Sequence, residues 1–147
     1  MAELKYEKYI LREPRGMGAV PPRRTTQVQA ASINEKLLSE IPEVNCNFNF
    51  MGVLEPHLLG DPPHKHDYDE FLFFIAADSE NAPDLGGEVE IALGEEWEKH
   101  VINTSAIVCL PKGVQHCPIY VKRVDKPFYF GHIMLASTYS SSAFSPE

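Results

Sequence analysis

The chain has 147 residues, enough for one domain with a sizeable core, and 44% of them are hydrophobic. Its net charge of −8 argues against a nucleic-acid-binding surface, which needs clustered positive charge. No apolar run reaches the roughly 18 residues of a membrane-spanning helix, and the first residues lack the basic-then-apolar layout of a signal peptide. Three cysteines without a CxxC pair favour reduced thiols. We therefore expect a cytoplasmic protein that binds neither nucleic acid nor a membrane.

Residues 1–45 predict an N-terminal arm that carries one short helix. Prolines and glycines between residues 14 and 22 exclude a long regular element there. Residues 32–41 predict the helix, because Ser32 suits an N-cap, Glu35 follows three residues later as in a capping box, and Pro42 ends the segment. We expect this arm to pack on the rest of the domain or on a partner subunit.

Residues 46–136 predict a β-domain. Short apolar or alternating segments recur at roughly 8–12-residue spacing between turn signals, which is typical of an all-β sandwich or barrel. The expected strands cover residues 45–54, 64–75, 88–93, 97–102, 106–110, 116–122 and 128–135. In the first of them we expect Phe48 and Phe50 to face the core. The Ser-rich residues 137–147 predict a flexible tail.

The segment from His64 to Glu70 carries the most distinctive polar pattern. On a strand, side chains alternate between faces, so His64, His66, Tyr68 and Glu70 are expected on one face. The histidines and Glu70 lead directly into an apolar run, so they are expected to be buried. Buried imidazoles and carboxylates need partners. A divalent metal would satisfy them together, whereas the alternative is a set of ordinary polar residues in a metal-free barrel.

A second pattern lies in the other half of the domain, where His116 follows the turn Pro111-Lys112-Gly113. With His64-x-His66-x3-Glu70, the order and spacing resemble the two motifs of the cupin superfamily. The glycines of those motifs are replaced here by other residues, and so is the final asparagine. These replacements fall at turns and strand ends: Leu58, Ala77, Ser105 and Tyr120.

The resemblance implies a double-stranded β-helix, the cupin or jelly-roll barrel, in which His64, His66, Glu70 and His116 bind one divalent metal. Imidazole and carboxylate ligands accept Fe, Mn, Ni, Zn, Co or Cu, so the residue types do not select the metal. Tyr68 shares the ligand face and is a candidate to touch the substrate or act as an acid. His132 lies in a late strand and is a candidate base or a partner of the metal ligands.

These features favour a small metal-dependent enzyme, an isomerase, lyase or dioxygenase, acting on an oxygen-rich small molecule such as an organic or sugar acid. The alternatives are a non-catalytic cupin that binds a metal or small ligand for sensing or storage, and a metal-free structural cupin. The run from Phe71 to Ile75 is apolar on both faces, so its outer face needs a cover. We therefore expect a homodimer.

Overall fold

The computed structural model describes residues 4–12, 21, 23–33, 41, 44–60, 62–136 and 142–143. The strands in this part of the chain are β1 Gln27–Ile33, β2 Asn47–Val53, β3 His57–Gly60, β4 His64–Lys65, β5 Glu70–Ala76, β6 Asp84–Leu93, β7 Glu98–Thr104, β8 Ala106–Leu110, β9 His116–Val124, β10 Phe128–Met134 and β11 Ser142–Ala143. Short 3-10 turns occupy Glu7–Tyr9 and Ser79–Asn81. Within the described ranges, no helix is long and apolar enough to cross a membrane.

The strands form two antiparallel sheets. One has five strands in the order β1-β2-β10-β5-β8, and the other has six, in the order β11-β4-β9-β6-β7 with β3 beside β9. Their inner faces supply one apolar core, in which Phe74, Ile91 and Ile119 are almost completely buried. Each such side chain contributes about 1.5–3 kcal/mol by leaving water. This architecture confirms the predicted all-β jelly-roll fold.

The predicted strand over residues 64–75 is in fact two strands. His64 and Lys65 form β4 in the six-stranded sheet, whereas β5 lies in the five-stranded sheet. The chain therefore crosses from one sheet to the other at residues 66–69. The alternation nevertheless continues through the crossing, since even-numbered side chains from 64 to 74 are buried or half-buried and Lys65, Asp67 and Asp69 are exposed.

The N-terminal part differs from the prediction at its boundary. Strand β1 pairs along β2, so the five-stranded sheet begins at residue 27 rather than at 46. Ser32 and Ile33 are the last residues of β1, where they pair with Asn49 and Phe48, so the predicted helix does not begin at Ser32. Residues 34–40 of that helix lie outside the described residues.

Most of the predicted tail also lies outside the described residues. Its residues 142–143 form β11, which pairs with β4.

Candidate metal centre

Three histidines converge inside the barrel. His64 of β4 and His116 of β9 are direct cross-strand partners, and His66 follows β4 at the start of the crossing. One ring nitrogen from each of the three lies within 4.8 Å of the others. The ring centroids of His64 and His116 are 4.4 Å apart, and those of His66 and His116 are 5.2 Å apart. Two adjacent strands of one sheet therefore hold this three-histidine group.

Backbone carbonyls fix the tautomers of two of these rings. Nδ1 of His64 lies 2.8 Å from the carbonyl oxygen of Pro62, and Nδ1 of His116 lies 3.1 Å from that of Val114. Because a carbonyl oxygen only accepts, Nδ1 carries a hydrogen in each ring, and Nε2 is the nitrogen left to ligate a metal. Burial also lowers the pKa of His64 and so favours its neutral form.

Glu70 brings a carboxylate to this group from the opposite sheet. Its side chain is buried, with one oxygen 3.1 Å from Nε2 of His66 and the other 3.5 Å from Nε2 of His116. Burial alone would raise the pKa of this carboxyl, but its hydrogen-bonding contacts with His116 and His66 outweigh burial and lower it to about 2. Glu70 is therefore ionised, and positive charge between it and the rings is favourable.

The donor set fits a divalent metal. Imidazole nitrogens and carboxylate oxygens bind Zn²⁺ at about 2.0–2.2 Å, so two ligands of one ion lie at most roughly 4.2 Å apart. The largest separation in the three-histidine group, 4.8 Å, exceeds that value by a few tenths of an ångström. Small side-chain rotations close such a gap. The interior thus contains a group of residues that can bind a metal ion, with nitrogen and oxygen donors suited to first-row divalent ions.

Tyr68 and His132 both lie beside this group. The Tyr68 ring stacks on His66 at a centroid distance of 4.8 Å, and its hydroxyl donates to the sulfur of Met134 at 3.4 Å. His132 is opposite Leu72 across the β10–β5 ladder, which places it diagonally across from Glu70. Burial lowers the pKa of His132, Glu70 raises it, and His66 and His116 lower it further. The imidazole is therefore neutral at pH 7.

The prediction that Phe48 and Phe50 of β2 face the core was wrong. Asn47 and Asn49 are buried at 8% and 0% exposure, whereas Phe48 and Phe50 are half-buried on the outer face of the sheet. There Phe48 stacks against Phe73 at 5.8 Å. A two-residue alternation shows which residues share a face, but the pairing of β2 with β10 decides which face is inside.

Strand β9 departs from regular alternation at His116 and Cys117. Cys117 belongs to the apolar core although its neighbour His116 also faces the interior. The backbone φ of Cys117 is +81°, outside the extended region, so the alternation is broken there and successive side chains turn inward. Simple alternation would place Cys117 on the opposite face from His116, and no residue type in this stretch signals a positive φ.

Comparisons with known proteins bear on the fold. No family model and no curated protein matches the chain. Among solved structures, oxalate decarboxylase from Bacillus subtilis at pH 4.6 aligns with a TM-score of 0.52 at 12% identity, over 82% of this chain and 28% of that one. A structure of the same enzyme described for its Mn(II) centres aligns with a TM-score of 0.51 at 12% identity, over 80% and 27%.

Oxalate oxidase in complex with the substrate analogue glycolate aligns with a TM-score of 0.52 at 11% identity. The alignment covers 82% of this chain and 56% of the oxidase. This chain thus spans little more than a quarter of the decarboxylase and about half of the oxidase. Identities this low concern the backbone architecture alone, and on that basis the chain has the cupin fold.

Proposed function

We propose that the protein is a metal-dependent enzyme in which His64, His66, Glu70 and His116 bind one divalent ion. The observation that carries this proposal is the convergence of three imidazoles, two from one sheet and one from the crossing, on a buried, ionised carboxylate from the other sheet. Mn(II) is the first ion to test, because it is named for the decarboxylase of the same fold. When bound, such an ion supplies a Lewis acid with positions left for an oxygen-chelating substrate.

Two side chains beside the metal ligands, His132 and Tyr68, then act on that substrate. His132 is neutral, half-buried and diagonal to Glu70, so its imidazole accepts a proton from a substrate bound beside the metal ligands. The Tyr68 hydroxyl donates to a thioether sulfur, a weak acceptor, and can turn to donate to a developing negative charge on oxygen. We infer proton transfer on a small oxygen-rich acid, as in an isomerase or lyase.

The alternative function is a non-catalytic module that binds a metal or small ligand. Such a module needs the ligating residues but no further titratable group beside them. The interaction of His132 with Glu70 supports the enzyme instead, because it shows that a proton acceptor lies close to the proposed metal ligands.

The test begins with elemental analysis of protein purified without a metal-chelating column and reconstituted with Mn(II), Fe(II) or Zn(II). Close to one ion per chain is expected, and a His64→Ala/His66→Ala variant should bind none. Proton exchange at the α-carbon of small hydroxy and oxo acids is then followed by NMR in D₂O. Exchange that depends on metal and falls at least 100-fold in His132→Gln supports the enzyme. Metal binding without exchange or turnover of any such acid leaves the binding module, and no metal binding overturns both functions.

We also propose a homodimer formed through the outer face of the five-stranded sheet. Ile75 and Ile107 are 46% and 69% exposed there, and the adjacent Tyr129 is 40% exposed. A large apolar face on one sheet favours a protein partner. Light scattering should give a dimer that Ile107→Asp dissociates, whereas Val101→Asp on the other sheet should not. A monomeric wild-type protein contradicts this proposal.

A cytoplasmic location is proposed from the cysteines. In the described part of the chain Cys46, Cys109 and Cys117 form no disulfide, and Cys109 is exposed. Free, accessible thiols persist in reducing compartments. Alkylation of intact cells followed by mass spectrometry should find them reduced, and an oxidised Cys109 contradicts the proposal.

A further inference from the structure

A second set of buried polar side chains lies apart from the metal ligands. They belong to β1 and β2, face the interior, are neutral amides or a hydroxyl, and are each at most 8% exposed: Gln27, Gln29, Ser32, Asn47 and Asn49. Gln27 is satisfied by Arg24 and His57 at 2.9 and 2.8 Å. The others lie deeper along the strands, toward the three-histidine group.

Strand pairing arranges part of this set in a row that leads to the metal ligands. Ser32 is opposite Asn49 across the β1–β2 ladder, and Asn49 is opposite His132 across the β2–β10 ladder. Directly opposed side chains have Cβ atoms about 4.5–5.5 Å apart, so the three are neighbours on the inner face. The row ends at His132, diagonal to Glu70.

The two ends of this row hold polar atoms that the protein does not use. Within the described part of the chain, Oγ of Ser32 and Nε2 of His132 are buried and have no hydrogen-bond partner. Buried donors and acceptors without partners are costly, and native proteins keep few of them. Two such atoms on one row, beside a candidate metal centre, point to a ligand that completes their hydrogen bonds.

Two irregularities show that this row is built into the strands. A bulge in β1 between Gln29 and Ala31 shifts the register by one residue. Without the bulge, alternation from Gln29 would turn Ala31 and Ile33 inward; with it, Ser32 is completely buried. The β2 strand likewise buries its asparagines and leaves its phenylalanines outside, against the usual preference.

The polar groups of the row determine which kind of ligand it can bind. Amides and a hydroxyl both donate and accept hydrogen bonds and carry no charge. Among the buried described residues there is no Lys or Arg to neutralise an anionic group. We propose that the far part of this row, Ser32 and Asn49, which we call the hydroxyl subsite, binds the uncharged, hydroxylated end of a sugar-acid-like molecule, while His132 lies between this subsite and the metal ligands. The inference rests on the proposed function, because the carboxyl end of the same molecule would chelate the metal.

The proposal excludes a ligand with a second carboxylate at its far end. A dianion would place its second negative charge against a neutral row, with no buried Lys or Arg among the described residues to pair with it. A hydroxylated monocarboxylate matches the row, and a minimal chelator such as glycolate does not reach it.

The experiment compares three probes by calorimetry on Mn(II)-loaded protein: glycolate, which only chelates; gluconate, which adds neutral hydroxyls; and glucarate, which has the same length and a second carboxylate. We expect gluconate to bind at least tenfold more tightly than either of the others. Ser32→Ala should remove most of that preference and leave glycolate binding unchanged. The control, Ser79→Ala, alters an exposed serine outside the site and should change neither.

Thermal unfolding of the metal-free variants gives a readout independent of metal. If Ser32 is kept for a ligand, replacing its unpartnered hydroxyl by a methyl-sized side chain should raise the unfolding temperature or leave it unchanged. A lower unfolding temperature in Ser32→Ala would show a structural role and overturn the inference. Equal affinities for gluconate and glycolate, or an unchanged preference in Ser32→Ala, would also overturn it while leaving the metal centre intact. Failure of all probes and of Mn(II) to bind would overturn the proposed function itself.

Discussion

Metal binding should stabilise the fold, because the proposed ligands come from both sheets. His64 and His116 belong to the six-stranded sheet and Glu70 to the five-stranded one, so the complete donor set exists only in the folded state. An ion present at 100 times its dissociation constant then adds about 2.7 kcal/mol to the free energy of unfolding. For a chain of this length, about 2–4 °C per kcal/mol gives an increase in Tm of roughly 5–10 °C.

The assay is differential scanning fluorimetry of protein stripped with a chelator, with and without each divalent ion. The variant is His116→Ala, which removes a ligand whose side chain is 2% exposed. The matched control is His100→Ala, since that side chain is 46% exposed on β7 and contacts Glu98 instead. The shift is compared within each variant, so any change in the metal-free Tm cancels. A shift that persists in His116→Ala, or its absence from the wild type with every ion, would refute the reasoning.

Three further predictions concern the barrel around the site. Phe74→Ala should lower the free energy of unfolding by about 3–5 kcal/mol in urea titrations, because Phe74 is completely buried, while the exposed Ile107→Ala should change it far less. Gly131→Ala should cost roughly 1–3 kcal/mol, since a Cβ there meets a carbonyl oxygen of β2 and a ring atom of β5, whereas Gly52→Ala has room. His132 has a lowered pKa in the folded protein, so the unfolded chain binds a proton at this site more readily. The stability that the neutral imidazole contributes is therefore complete above the unfolded-state pKa of about 6.5 and is lost as the pH falls below it. The metal-free Tm should therefore decrease from pH 7 to pH 5, and a His132→Gln variant should lose part of that decrease; a Tm independent of pH would contradict the assignment.

Patterns that depend on local geometry were readable from the sequence. The alternation from His64 to Phe74 correctly placed the even-numbered side chains together, even though the chain changes sheets within it. The hairpin of β6 and β7 and the strand that begins at His116 were likewise evident from alternation and turn residues. These predictions succeed because a side chain's face depends on its immediate neighbours in the chain.

Features that depend on distant pairing were not readable. Strand β1 is rich in Gln, Ala and Ser and lacks a strong β pattern, so its place in the sheet follows from its ladder with β2. The capping-box pattern at Ser32 predicted a helix start where that ladder instead forms a strand. The interior position of Asn49 is set by its pairing with His132, 83 residues later in the chain. Local propensity carries no information about such a partner.

The irregular positions of this barrel share one feature: each turns a polar side chain inward. The crossing at residues 66–69 lets Glu70 of one sheet meet His116 of the other, the positive φ of Cys117 buries His116 beside an apolar neighbour, and the bulge in β1 buries Ser32. A barrel that served only as a scaffold would gain stability from regular strands with apolar side chains at these positions. Three independent departures that all add polar atoms to one interior are explained together by a ligand there. These departures favour a binding or catalytic barrel over a purely structural one before any particular metal or substrate is considered.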